Sequence, residues 1–460
     1  MSFTSIGFAI LFPITLLIYY VIPERIKKFF LIFCSVFFYL LFDYRFILVL
    51  MAVTFVSFLF GRVLTHKKKT ILLVAGVVIS LLPLVLLKYL AVFDNLAAVT
   101  GISFYTLQAI SYMVDCHKDT KHQKDSFWNY VLFMSFFPTV VSGPIKRFNS
   151  FNEQIETSHA FEYSKVRRGL YMMALGYIEK LMLADCGAKL VAAVFDSTES
   201  CAGSLIVIST VTFGLQLYFD FAGYSYIAIG ASLVLGYAIP DNFMQPYFAT
   251  SIKEFWRRWH ISLSEFLKDY VYIPLGGNRH GNLRKYINLL VTFLVSGIWH
   301  GVGLNFVFWG ALHGIYQVVG DIKNRIFHPN ESNALLRVLK SALVFIMVDY
   351  AWLFFRVNSL SQGFEFTKNI FTNFDISVLL SGWIFDAGMN KIQLLFWIIV
   401  AILIFVFDVC MYQNIDLFEK LGSCKAYIRW IAYFVAIGII IVGALSGVGK
   451  NAGAFIYGGF

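Results

Sequence analysis

Two histidines lie in one apolar stretch of the sequence. Residues 286–320 contain no Asp, Glu, Lys or Arg, yet they include His300 and His313 among glycines and tryptophans. Near neutral pH an imidazole can take the proton of a hydroxyl group or hold an acyl group as a nucleophile. Transfer of an acyl group from a thioester to a hydroxyl needs one of these functions and a group that offsets charge on the carbonyl oxygen. The stretch therefore offers acyl-transfer chemistry, although a histidine that only packs in an apolar helix is the common alternative.

A helix that carried both histidines would be too long for a single membrane crossing. At 1.5 Å per residue, residues 286–320 would span about 50 Å, against about 30 Å of hydrocarbon. The weakest point is 296–303, where glycines at three positions make a continuous helix costly. We therefore expect a helix break inside the membrane, with His300 at the break.

His313 is expected to have a different function from His300. Along a continuous helix the two would lie roughly 20 Å apart, so we do not expect a catalytic pair. Gly310 and Gly314 flank His313 in a small-xxx-small pattern that lets two helices approach closely. We interpret His313 as a structural or gating hydrogen bonder more readily than as a catalytic residue.

Residues 251–285 form a second unusual segment, with seven Lys/Arg and three Asp/Glu among many aromatic residues. Ser251 and Glu254 have the spacing of a capping box, which predicts a helix that starts there. On one continuous helix the aromatic and leucine side chains share an arc of about 120°, with His260 at its polar edge. This pattern predicts a helix at the membrane interface. The Pro/Gly turn segment at 272–281 could receive an anion on its backbone N–H groups, although an ordinary loop has the same composition.

The composition predicts an all-α, polytopic membrane protein. Charged residues make up 14% of the chain and apolar residues 59%, and the mean hydropathy is +0.72. We expect about 10 to 13 helices, some of them re-entrant, in one integral domain over residues 1–460 with the interfacial helix and loop at 251–285. The net charge of +10 lies in short loops that flank the apolar segments. Retention on the cytoplasmic side and anionic membrane lipid explain these cations, so no nucleic-acid partner is expected.

The six cysteines give no sign of a metal site. They show no CxxC pair and no Cys/His spacing typical of a metal site. We interpret them as small apolar packing residues and expect no metal.

Several segments together carry a family pattern. They read SIKEFWRRWHISLS (251–264), DYVYIPLGGNR (269–279), SGIWHG (296–301), WG (309–310), HG (313–314), SGPIKRF (142–148), DFAGYS (220–225) and FIY (455–457). This set resembles the membrane-bound O-acyltransferase family, and within it the branch of bacterial alginate O-acetyltransferases. Tyr226 departs from the pattern, since this branch commonly has an acidic residue after Gly-Tyr-Ser.

The resemblance implies a helical protein around a central tunnel in the bacterial inner membrane. Its acyl donor would be acetyl-CoA from the cytoplasm, acting as a substrate rather than as a bound cofactor. The acceptor would be an exported or cell-wall polysaccharide outside, reached with the help of an extracellular SGNH-hydrolase-like partner. The family's invariant histidine corresponds to His300, and its second frequent histidine corresponds to His260.

Further residues are candidates for contact with the acyl donor or the acceptor. Cationic side chains suit the phosphates of coenzyme A, although anionic lipid headgroups suit them equally well. An intramembrane carboxylate is a functional candidate, and its alternative is to pair with a buried cation. We expect Asp349 and Arg356 each to pair with another segment. The candidate contact residues are Lys253, Arg257, Arg258, Asn278, Arg279, Trp299, His313 and Asp220.

Two other functions remain open at this point. One is D-alanyl transfer to teichoic acid from a carrier-protein thioester, and the PLGGNR sequence at 274–279 argues against it. The other is a transporter or flippase whose intramembrane Asp, Arg and His residues line a path, and the lack of an internal repeat weakens it. Alginate, cellulose, peptidoglycan and other exopolymers are all possible acceptors.

Overall fold

The protein is all-α, as its composition predicts. The structure is a computed structural model that describes residues 2–89, 101–119, 121–197, 201–327 and 333–446, and these residues contain no strand. Its α-helices are α1 (Ile6–Val21), α2 (Glu24–Asp43), α3 (Ile47–His66), α4 (Thr70–Leu84), α5 (Ile102–Lys118), α6 (Phe127–Ser135), α7 (Phe148–Ile155), α8 (Tyr163–Tyr177), α9 (Asp185–Phe195), α10 (Gly203–Val234), α11 (Ile252–Arg258), α12 (Ile261–Leu267), α13 (Gly281–His300), α14 (Leu304–Phe327), α15 (Ala334–Arg356), α16 (Leu360–Thr372), α17 (Ser377–Leu380), α18 (Trp383–Asp386), α19 (Lys391–Tyr412), α20 (Leu417–Ser423) and α21 (Ala426–Ser446). The sequence motif at 455–457 lies outside the described residues.

Among the described residues, six helical stretches are long and apolar enough to cross a membrane. They are Glu24–His66, Thr70–Lys88, Gly203–Val234, Ala334–Arg356, Lys391–Tyr412 and Ala426–Leu445. The first of these comprises α2, a 3₁₀ turn and α3. Large apolar side chains remain exposed along α1, α2, α4, α19 and α21, as lipid-facing helices require. The polytopic membrane fold is confirmed, while α13 and α14 fall outside the six and the predicted number of crossings stays a prediction.

The described residues group into two compact units, and the chain passes from one unit to the other three times, once inside α10. The first unit comprises Met1–Gly176 and Tyr224–Asp241, and the second comprises Tyr177–Gly223 and residues 242–446. In the first unit, rings from α3, α5, α6 and α7 pack against one another at Phe58, Tyr112, Tyr130 and Phe148. The predicted single integral domain stays a prediction.

In the second unit, α13 and α14 form a tight antiparallel pair. The break predicted at 296–303 is confirmed, because α13 ends at His300 and α14 begins at Leu304. A Cβ atom at Gly297 would collide with the carbonyl oxygen of Phe306, and one at Gly310 would collide with that of Phe293. The two glycines therefore let the two backbones touch, which is the close approach expected from the small residues around His313.

The single helix predicted after Ser251 is wrong, because two short helices occupy this segment. α11 begins as expected, with Ser251 Oγ accepting a hydrogen bond from the Glu254 N–H at 3.1 Å. It ends at Arg258, and His260 takes a left-handed conformation with φ of 43° before α12. Residues 242–244 bond to the backbone at this break, since Met244 N donates to Arg258 O and Ile261 N donates to Asn242 O.

The break also changes the surface that these helices present. The charged side chains Lys253, Arg257, Glu265 and Lys268 are exposed and the aromatic ones are buried, as predicted. However, Trp259 is 1% exposed and packs on Trp352 within the protein. The aromatic face thus joins the protein core of the second unit rather than covering a lipid surface.

Candidate active site

His300 lies at the last position of α13, inside a set of aromatic rings. Its side chain is buried, and the residue is 3% exposed. The imidazole centroid lies 4.8 Å from Trp299, 5.0 Å from Trp309 on α14 and 5.2 Å from Phe355 on α15. The helix break directly after it lets the chain turn, and the rings shield the imidazole from water.

His260 lies at the break between α11 and α12 and is oriented by Asn242. The distance between His260 Nδ1 and Asn242 Oδ1 is 3.1 Å. The same oxygen accepts from the Ser262 N–H at 3.3 Å and from the Ser262 hydroxyl at 2.9 Å. Because an atom that receives a backbone N–H is an oxygen, Nδ1 of His260 must be the donor. The ring proton is therefore on Nδ1, and the lone pair is on Nε2.

Burial keeps His260 neutral. The residue is 1% exposed, and its burial lowers the pKa of the imidazole from 6.5 to about 3. Phe221 lies against the ring with a centroid distance of 4.6 Å. At physiological pH, His260 is therefore uncharged and can accept a hydrogen bond at Nε2.

His313 is held in the opposite tautomer. The indole Nε1 of Trp256 donates to His313 Nδ1 at 3.3 Å, so the ring proton of a neutral His313 is on Nε2. Among the described residues, this buried Nε2 has no hydrogen-bond partner. His313 thus presents an N–H donor, as expected for a hydrogen bonder, whereas His260 presents a lone pair.

The structure brings the histidines closer than helical spacing suggested. Trp309 contacts both His300 and His313, with ring centroids 5.0 and 4.9 Å away, so the two imidazoles are less than 10 Å apart. The expectation of roughly 20 Å is wrong because the chain reverses at 301–303 and α14 packs back along α13. Trp299 likewise contacts both His260, at 6.3 Å, and His300. All three imidazoles therefore belong to one cluster of rings in the second unit.

The predicted cationic contacts divide into two groups. Lys253, Arg257 and Arg279 are exposed, as is Asn278. Arg258 instead pairs with Glu254 at 2.9 Å and donates to Met244 O at 3.0 Å. Hydrogen bonds from Thr250 and Arg258 lower the pKa of Glu254 although its partial burial opposes this, so the pair is charged. Arg258 thus stabilises the fold of this segment through its contacts with Glu254 and Met244. The other candidate side chains remain exposed.

The turn at 274–279 is an ordered structure rather than an open anion cradle. Its N–H groups at Leu275, Gly276, Gly277 and Arg279 all donate to backbone carbonyls. The two glycines have φ of 107° and 57°, which other residues rarely adopt. The buried side chain of Asn288 on α13 fastens the turn by donating to Gly277 O at 2.9 Å. The N–H groups at these four positions are therefore already engaged within the turn.

Asp220 is the partner of a buried cation, which is the alternative considered for it. Its Oδ1 lies 2.6 Å from Lys180 Nζ, which also lies 2.7 Å from Asp185. The Lys180 and Asp220 side chains are each 1% exposed. Arg356 pairs with Asp196 at 2.7 Å, as expected for a partner on another segment. Asp349 departs from the same expectation, since its Oδ1 has no hydrogen-bond partner among the described residues.

Residues that the sequence reasoning missed complete the site. Trp309 and Phe355 enclose His300, and Asn242 orients His260. The sequence marks Trp309 only as part of the WG motif in the family pattern. Asn242 follows a proline and an aspartate, which is a common loop composition. Contact across 18 residues between Asn242 and His260 leaves no periodic signal in the chain.

The known proteins similar to this chain include O-acetylating enzymes and D-alanyltransferases. A model of the family described as the membrane-bound O-acyltransferase family matches residues 18–361. A probable alginate O-acetylase from Pseudomonas aeruginosa is 32% identical over 397 residues, which are 81% of this chain and 75% of the relative. A peptidoglycan O-acetyltransferase from Helicobacter pylori is 35% identical over 299 residues, which are 59% of this chain and 56% of the relative. A teichoic acid D-alanyltransferase from Streptococcus thermophilus is 29% identical over 277 residues, which are 56% of this chain and 66% of the relative.

Proposed function

The chain belongs to the membrane-bound O-acyltransferase family, and we propose that this acyltransferase moves acetyl groups to hydroxyls of an exported or cell-wall polysaccharide. The observation that carries the proposal is the buried imidazole of His300 at the end of α13, enclosed by Trp299, Trp309 and Phe355. Such a site holds a proton acceptor in a water-poor environment, which favours transfer to a hydroxyl over hydrolysis.

His300 acts as the proton acceptor in this reaction. The acceptor hydroxyl oxygen forms a bond to the carbonyl carbon of an acetyl thioester, and its proton moves to the imidazole. The carbon–sulfur bond then breaks, the proton passes to the departing thiolate, and the products are an acetyl ester and a thiol. The N–H of His313, whose ring also packs against Trp309, is the candidate donor for the charge that develops on the carbonyl oxygen.

Acetyl-CoA from the cytoplasm is the proposed donor. Its phosphates would meet cationic side chains, and Lys253, Arg257 and Arg279 are exposed and suited to this. Asn278 lies in the same turn as Arg279. The proposal places the protein in the bacterial cytoplasmic membrane, with the donor entering a tunnel that contains His300.

The acceptor and the partner are proposed from the similar proteins. The relatives include a probable alginate O-acetylase and a peptidoglycan O-acetyltransferase, so a carbohydrate hydroxyl is the favoured acceptor. An extracellular SGNH-hydrolase-like protein would complete delivery to the polymer. The transporter alternative loses its support, because membership of an acyltransferase family accounts for the buried histidines.

D-alanyl transfer to teichoic acid remains the second candidate. It is supported by the similarity to a teichoic acid D-alanyltransferase, which is lower than that to the O-acetylases. Purified protein in proteoliposomes is incubated either with acetyl-CoA labelled in the acetyl group or with a D-alanyl carrier protein. We expect acetyl-CoA, and not the carrier protein, to lose its acyl group. We expect this loss only in protein that retains His300. Turnover of the carrier thioester alone would show that the protein transfers D-alanine rather than acetyl groups.

A further inference from the structure

Three potential metal ligands lie together in the first unit, apart from the candidate active site. Cys116 lies in the last turn of α5, His122 lies in the 3₁₀ turn Lys121–Lys124, and Asp125 follows that turn directly. One ligand atom from each of the three side chains lies within 4.8 Å of the others. In the part of the chain that the structure describes, they form the one such group of His, Cys, Asp and Glu residues.

The three side chains are withdrawn from solvent. Cys116 is fully buried and His122 is 1% exposed, while the Asp125 side chain is 10% exposed. His122 Nδ1 lies 2.8 Å from Asp125 Oδ2. The second ring nitrogen, Nε2, is buried and has no hydrogen-bond partner among the described residues. A metal ion shared by His122 and Asp125 would bind at Nδ1, the ring nitrogen that faces the carboxylate, and would replace the hydrogen bond between them.

The chemistry of the three donors favours zinc. A thiolate and an imidazole exclude Mg²⁺ and Ca²⁺, which prefer oxygen ligands, and a carboxylate completes a set that Zn²⁺ commonly accepts. Tetrahedral zinc with bonds of about 2.0–2.3 Å holds its ligand atoms roughly 3.3–3.6 Å apart. The ligand atoms must therefore move closer by about 1 Å when the metal binds. A thiolate and a carboxylate also balance the charge of a divalent cation.

The surrounding elements hold the ligands in place. A Cβ atom at Gly61 on α3 would lie 3.2 Å from Cys116 Sγ, so the missing side chain lets α3 approach the thiol. Arg62 on the same helix donates to the carbonyl oxygen of Gln123 in the 3₁₀ turn. The His122 ring packs edge-on against Tyr112 of α5, with centroids 5.7 Å apart. These contacts position Cys116 and His122 before any metal binds.

We propose that Cys116, His122 and Asp125 bind one zinc ion, which fastens the turn at 121–125 to the end of α5. Three protein ligands leave a fourth position for water or another small ligand. No pattern in the sequence indicates this site, because the spacing of its cysteine and histidine matches no common metal motif. The site is independent of the proposed acyl transfer, since it shares no residue with the histidine cluster of the second unit.

The metal content of the purified protein tests the proposal. The full-length protein is purified without a polyhistidine tag or chelator, and its zinc is measured by inductively coupled plasma mass spectrometry. We expect about one zinc ion per chain, and a loss of at least tenfold in Cys116→Ser, His122→Asn and Asp125→Asn. Cys34→Ser, which changes a half-buried cysteine on α2, is the matched control and should retain the metal.

A second measurement covers the case in which a variant folds poorly. Wild-type protein is stripped with a chelator, and its melting temperature is measured in detergent as zinc chloride is added. We expect zinc to raise the melting temperature of the wild type and of Cys34→Ser, but not that of Cys116→Ser. The proposal is overturned if the wild type contains no zinc and gains no stability from it, or if Cys116→Ser binds zinc as the wild type does.

Discussion

Trp256 of α11 donates a hydrogen bond from its indole Nε1 to Nδ1 of His313 on α14, across 3.3 Å. This contact joins residues 57 positions apart and fixes the proton of His313 on Nε2. Asn242 holds His260 in the opposite tautomer, with its lone pair on Nε2. In the proposed reaction His300 takes the hydroxyl proton, and the N–H of His313 is the candidate donor to the carbonyl oxygen.

Trp256→Phe should destabilise the protein and slow acyl transfer. The substitution keeps the aromatic ring but leaves the buried Nδ1 of His313 without its donor, which costs about 1–3 kcal/mol. The melting temperature in detergent and the acyl-transfer rate should both fall below those of Trp128→Phe, which changes a tryptophan that is 49% exposed. Equal melting temperatures for the two variants would show that the hydrogen bond contributes nothing.

His300→Ala should abolish acetylation while the protein still inserts and accumulates. Loss of a general base slows transfer by about 10²–10⁴-fold, and removal of the imidazole also opens the aromatic enclosure to water. Acetyl groups on the polysaccharide are measured in cells, beside the amount of protein in the membrane fraction. His66→Ala, at an exposed histidine on α3, is the control. Retained acetylation in His300→Ala would remove His300 from the mechanism.

Asn242→Ala and Asn242→Asp should differ in their dependence on pH. Alanine removes the acceptor for His260 Nδ1, so the rate should fall at every pH by about one to two orders of magnitude. Aspartate keeps the acceptor, but its negative charge favours the protonated imidazole and raises the pKa of His260 from about 3. The aspartate variant should therefore lose activity as the pH falls, because His260 becomes protonated. In the wild type, protonation of His260 should not lower the activity over the same pH range. Parallel pH profiles for the two variants would contradict the orientation assigned to His260.

Lys180→Met should destabilise the second unit more than Asp220→Asn. Lys180 is shared by Asp185 and Asp220, so its removal leaves two buried carboxylates without their cation, whereas Asp220→Asn leaves one pair intact. Removing one partner of a buried pair costs about 3–5 kcal/mol. Thermal melts should rank the variants in that order. The combined variant Lys180→Met/Asp185→Asn/Asp220→Asn should recover stability, and the absence of any recovery would show that charge is not the cause.

Gly310→Ala should separate α13 from α14 and lower both stability and activity. A methyl group there would collide with the carbonyl oxygen of Phe293, which is backbone and cannot rotate away. Gly320→Ala is the matched control on the same helix, since nothing lies within 4 Å of the Cβ position at Gly320. It should be neutral or stabilising by up to about 1 kcal/mol, because alanine favours the helix. Similar melting temperatures for the two variants would refute the close contact.

The sequence alone determined the features that depend on local composition. An all-α membrane fold follows from an apolar chain with few charges, because backbone groups in lipid must be satisfied within a helix. The break after His300 follows from glycines that weaken a helix, and the start of α11 follows from Ser251 at its cap. The close approach of helices around His313 follows from small residues at the spacing of one helical turn.

Only the tertiary structure decided which of these residues meet. The separation of His300 and His313 depends on the direction in which α14 leaves the break, and helical spacing gives the wrong distance. The end of α11 at Arg258 depends on hydrogen bonds from residues 242–244, and the choice of tautomer at His260 depends on Asn242. The contact between Cys116 and His122 depends on how the turn at 121–125 packs on α5. In each case the deciding interaction joins segments whose approach is set by packing, and no periodic pattern in the chain records it.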